Sequence, residues 1–85
     1  MTIKEHVNRN LEVIDINIYN INKNLEEMKN IKDFISDAVI KDKCDADEIA
    51  TLREKYKNLE FENTILSEES RENAEKAIRI INSVL

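Results

Sequence analysis

The sequence predicts an all-α protein: a long antiparallel helical hairpin, assembling into a dimeric helical bundle. Three observations predict it. None of the 85 residues is glycine or proline, the two residues that punctuate helices and shape tight turns. Apolar residues recur at alternating spacings of three and four along most of the chain, the period of a helical seam. Charged residues make up 36% and aromatic residues 5%, as in coiled-coil-like chains and unlike bulky globular cores. So much charge also fits disorder, but the apolar residues are too numerous and too regular for that reading.

The first helix is expected over about residues 3–42. Val7, Leu11, Ile14, Ile18, Ile21, Leu25 and Met28 keep the heptad spacing, with Leu11, Ile18 and Leu25 at a and the others at d. Strict continuation reaches Lys32, Ile35 and Val39, and the apolar arc widens there through Ile31, Phe34 and Ala38. Such a helix is roughly 60 Å long at 1.5 Å per residue. Residues 13–21 are rich in β-branched side chains, and Ile14, Ile16 and Ile18 alternate with polar residues, which fits a strand locally. The unbroken seam and the lack of bounding turn residues favour helix.

The connection is expected over about residues 43–46. Asp45 is placed to cap the next helix by accepting from its free amides, with Glu48 completing a capping-box pattern. Asp47 and Glu48 suit the positive end of that helix, and Lys41 and Lys43 suit the negative end of the preceding one.

The second helix is expected over about residues 46–84. Ile49, Leu52, Tyr56, Leu59, Asn63, Leu66, Ser70, Asn73, Ala77, Ile80 and Val84 form its seam. Ser67 followed by Glu68 and Glu69 could restart a helix after a break, giving three helices; the absence of glycine and proline favours one. Folding the hairpin pairs residues whose numbers sum to about 88–90, with Met28 near Leu59, Ile35 near Leu52 and Tyr19 near Ser70. An intermolecular pairing of the first helix is the alternative.

The chain forms one domain over residues 1–85, and at this length it buries only about 60–65% of its unfolded surface. Its net charge is −5. Residues 1–43 hold 7 basic and 8 acidic groups, a balance of −1, and residues 44–85 hold 6 and 10, a balance of −4. No basic stripe offsets this charge, so duplex nucleic acid is not an expected partner. The longest apolar runs are far too short to span a membrane, and the N-terminal stretch lacks the apolar core of a signal peptide. The lone cysteine, Cys44, allows no internal disulfide and no zinc cluster, and points to a reducing, cytoplasmic compartment. Isoleucine (13), asparagine (11) and lysine (9) are abundant; their codons are A/T-rich, as in an AT-rich bacterial, phage or mobile-element genome.

Catalysis finds little footing. His6 is the only histidine and stands far from Cys44 in sequence. No glycine is available for a phosphate loop. Asp45-Ala46-Asp47 resembles the start of a calcium loop without its glycine or remaining ligands. No metal and no cofactor is expected, and the chain is read as a non-enzyme.

The candidate partner-binding residues are Val13, Ile16, Phe61 and Ile65, apolar side chains off the expected seams. Exposed apolar clusters mark interfaces, and a two-helix core is thin for a chain standing alone, which favours association over the alternative of a wider core or a slightly different register. Asn63, Ser70 and Asn73 put polar groups on the seam, where buried asparagine fixes register, or where diverging helices open a groove. Tyr19 with Lys23 and Tyr56 with Arg53 place an aromatic one turn from a cation, a pairing that could stack on a nucleotide-like ligand and meet its phosphate. The same arrangement arises wherever a packed tyrosine has a snorkelling neighbour.

Residues 69–81, Glu69-Ser70-Arg71-Glu72-Asn73-Ala74-Glu75-Lys76-Ala77-Ile78-Arg79-Ile80-Ile81, resemble the second helix of small type III secretion co-chaperones. That resemblance implies a helical hairpin that sequesters a secretion subunit. The leading expectation is broader: a non-enzymatic module that binds a protein partner or itself, as an inhibitor, adaptor or chaperone of phage, mobile-element or bacterial origin, for example an inhibitor of a defence system. The alternative is an oligomeric protein that sequesters a nucleotide-like small molecule.

Overall fold

A computed structural model describes residues 2–84. Two helices, α1 (Ile3–Ile40) and α2 (Ala46–Val84), run antiparallel and pack along their whole length. The hairpin is a rod of 62 × 18 × 14 Å. The β-branched stretch at 13–21 is helical, and α2 continues unbroken through Ser67.

Both ends of α1 and the first end of α2 are closed by local devices. The Thr2 hydroxyl accepts from the Glu5 amide at 3.2 Å, which caps α1. Asp45 caps α2 as expected: one carboxylate oxygen accepts from the amides of Asp47 and Glu48 at 3.0 and 3.3 Å. α1 stops two residues earlier than expected because Asp42 turns left-handed, with φ at 52°. The Asp42 amide then donates to the Val39 carbonyl at 3.2 Å, and the Lys43 amide to the Ala38 carbonyl at 3.0 Å. These two bonds are the Schellman closure, usually built on glycine. Aspartate tolerates the left-handed region better than most residues, and so the chain turns without a glycine.

The seam of α2 is the expected one. From Ile49 to Ile80, every seam residue is half-buried or buried. The seam of α1 differs. Val7, Ile14, Ile21, Met28 and Ile35 face inward as expected, but their companions are Asn10, Asn17, Asn24, Ile31 and Ala38. Leu11, Ile18, Leu25, Lys32 and Val39 lie at the surface instead. The helix has turned by one position. The physical reason lies at both ends of this row. Near the turn, Ile31 is buried where Lys32 would have been. Toward the open end, Asn17 and Asn24 are 5% and 9% exposed, and both find partners.

Asn24 Nδ2 donates to Asn63 Oδ1 at 2.9 Å, and Asn63 Nδ2 approaches Met28 Sδ at 3.9 Å. Asn17 Nδ2 makes a long 3.5 Å contact with the Leu66 carbonyl, which also accepts from Ser70 Oγ at 2.8 Å. A buried amide left unpaired would cost about 1–3 kcal/mol, so these partners decide that the asparagines can face inward. Asn24 and Asn63 set the register: facing residues have numbers that sum to 87, just below the expected 88–90. Met28 therefore faces Leu59 and Ile35 faces Leu52, as expected. Ser70 lies level with Asn17, whereas Tyr19 is exposed.

Candidate interaction surface

The turned seam gives the rod two unlike faces. On one, Leu11, Ile18 and Leu25 are 46%, 49% and 50% exposed. Their seven-residue spacing makes a straight row beside the seam. Leu25 lines a shallow groove with Ile21, Met28, Glu60, Asn63 and Ser67. The row continues through Lys32 into a second groove floored by Ile31, Ile35 and Tyr56 and rimmed by Arg53, Lys57 and Glu60. On the opposite face, Glu27 pairs with Lys55 across the helices at 2.6 Å. Both ends of that pair are about half exposed in water, so the bond contributes only about 0.2–1 kcal/mol. It marks this side as charged and solvated.

Among the described residues, no side chain is fully buried. The buried apolar set is Met28, Ile31 and Ala77. The two-helix rod thus leaves most of its apolar groups part-wet, and the leucine–isoleucine row is the most regular array of them.

The expected partner-binding residues fall on several rows. Val13 is half-buried and shares the row of Glu27, seven residues apart twice over. Ile16, Phe61 and Ile65 are exposed. Ile16 shares a row with Lys23, Phe61 with Glu54 and Glu68, and Ile65 with Asn58 and Glu72. The four do not line a common groove. The row that does, at Leu25, was assigned to the seam by its spacing. Its signal in the sequence is the excess of apolar residues on α1, which carries two adjacent apolar rows where one partner helix has room for one.

The expected ligand-binding residues separate into two places. Arg53 and Tyr56 share the groove with Lys32 and Lys57. Tyr19 and Lys23 lie with Asn22 and Glu26 on a shallow patch of α1 alone. Tyr56 faces Ile31 in the common register, so the two tyrosines are about twelve residues, or roughly 18 Å, apart along the rod. One small molecule does not bridge them within a single hairpin.

No helix among the described residues is long and apolar enough to cross a membrane. Compared with known protein families, curated proteins and solved structures, the chain finds no match.

Proposed function

We propose that this protein is a non-enzymatic helical interaction module that binds a protein through the Leu11–Ile18–Leu25 face. The observation behind this reading is that α1 turns these three apolar side chains half into water while burying asparagines. Water-exposed apolar rows of this regularity are stabilised by a covering surface, and their burial is the main driving force of association. Its acidity and its abundance of isoleucine, asparagine and lysine suit a phage or mobile-element factor acting as an inhibitor, adaptor or chaperone. The test compares capture of cellular proteins by the tagged wild-type chain and by Ile18→Asp, with helicity checked by circular dichroism. Ile18→Asp should lose the captured protein and keep its helicity. Loss on Ile16→Asp or Phe61→Asp instead would move the surface to the outward rows. Equal capture by all three variants would sink the reading.

A second reading has its own observation. The groove around Tyr56 gathers three cations, Lys32, Arg53 and Lys57, beside one acid, Glu60, on an otherwise acidic chain. An aromatic floor with a cationic rim suits an anionic, planar ligand of nucleotide type. Thermal stabilisation by a nucleotide, lost in Tyr56→Ala and Arg53→Ala but kept in Tyr19→Ala, would support it. A flat response across a nucleotide panel would remove it.

A further inference from the structure

We propose that a second copy of this chain covers the Leu11–Ile18–Leu25 face, its α1 lying antiparallel to the first α1 about a two-fold axis at Ile18. This rests on the reading of that face as the interaction surface and names what occupies it.

Three observations lead to a copy. The first is area. A folded monomer of 10.0 kDa exposes about 5,200 Å² by the surface–mass relation of folded monomers. This chain exposes 6713 Å², an excess of about 1,500 Å², whereas a standard interface buries about 800 Å² per partner. One face-to-face contact of that size removes about half of the excess.

The second is symmetry. A two-fold interface places the same patch on both partners, so the patch must complement itself. Read along the row, the residues are Lys4, Leu11, Ile18, Leu25 and Lys32, each seven from the next. The order is the same from either end. Antiparallel pairing about Ile18 therefore sets Ile18 on its own copy and Leu11 on the copy's Leu25. The same axis sets Lys4 against the copy's Lys32, a like-charge contact that opposes pairing and is weakened because both lysines are exposed to water at the ends of a stretch about 42 Å long at 1.5 Å per residue.

The third is charge. Residues 1–43 carry −1 (7 basic, 8 acidic) and residues 44–85 carry −4 (6 basic, 10 acidic). Pairing through α1 joins the nearly neutral halves and keeps the acidic helices apart. The opposite face, with Glu27 and Lys55 engaged with each other, offers no comparable apolar row.

The experiment uses the full chain with Cys44→Ser, so that introduced thiols are the only ones. Ile18→Cys should form a disulfide-linked dimer under mild oxidation. Leu11→Cys and Leu25→Cys should each form no disulfide cross-link when oxidised alone and cross-link when mixed. Light scattering on the chain without introduced thiols should give twice the chain mass, falling to one chain mass in Ile18→Asp. A single chain mass at high micromolar concentration overturns the proposal. So does a dimer whose Ile18→Cys form fails to cross-link, which would put the axis elsewhere. A monomer that still captures a cellular protein through Ile18 would overturn the copy alone and leave the interaction module standing.

Discussion

The hairpin has two halves built on different terms. Near the turn the facing pairs are Met28–Leu59, Ile31–Tyr56, Ile35–Leu52 and Ala38–Ile49, all without a polar amide or small hydroxyl side chain. Toward the open end, four pairs contain a polar side chain (Asn24–Asn63, Asn17–Ser70, Ile14–Asn73 and Asn10–Ala77) and two are wholly apolar (Ile21–Leu66 and Val7–Ile80). The turn half is held by removal of apolar surface from water. The open half is held in alignment by amides that must find each other, and it gains less stability per pair. Cohesion and alignment thus reside in different stretches of the same two helices.

The largest test of that division is Ile31→Ala. It removes one of the few buried apolar side chains and should cost about 2–4 kcal/mol, read as a lower midpoint in urea unfolding. Ile14→Ala, half-buried in the open half, should cost clearly less in the same assay; equal losses would erase the distinction between the halves.

Next is the asparagine pair. Asn63→Ala strips Asn24 of its partner and should cost about 1–3 kcal/mol. Asn24→Leu with Asn63→Leu should recover most of that loss, within about 1 kcal/mol of the wild type, because both amides are then gone. A double variant as unstable as the single one would show that the pair contributes through packing.

The caps at the turn set the smaller effects. Asp45→Ala removes the acceptor for two amides of α2 and should lower stability by about 1 kcal/mol. Asp42→Gly should raise it by about 0.5–1 kcal/mol, since a glycine holds the left-handed turn without steric cost. Both shifts are measurable as thermal midpoints by circular dichroism. A destabilising Asp42→Gly would mean that the aspartate side chain contributes to the turn beyond its backbone shape.

Much of this architecture was legible in the residues. The Asp45 cap, the seam of α2 from Ile49 to Ile80 and the Met28–Leu59 and Ile35–Leu52 pairs follow from spacing and capping chemistry alone, whereas Val84, expected on that seam, is 57% exposed. The phase of α1 did not. Its rows at Leu11 and Asn10 share one heptad spacing, and hydropathy favours the leucine. What decides between them is whether an inward asparagine meets an acceptor, and that acceptor, Asn63, stands on the other helix. The Thr2 cap has a short signature in the residues, Thr2 with Glu5 three positions on. The end of α1 lacks the usual glycine signal, since a left-handed aspartate at Asp42 leaves no comparable mark in the sequence. The candidate surface was hidden by the same confusion of rows: the residues assigned to the interior are the ones left outside.

The asparagines at 10, 17 and 24 repeat every seven residues, so the open half is nearly periodic. Sliding α1 by one heptad would bring Asn17 to Asn63 in place of Asn24 and still satisfy that amide. Such a slide needs about 10 Å of additional chain. Residues 41–45 have no slack to supply it, because the Schellman bonds close on Lys43 and the Asp45 carboxylate already grips α2. The short connection therefore serves as a ruler for contacts some 30 Å away along the rod. A chain nicked between Lys43 and Cys44 would keep both helices and lose its single alignment.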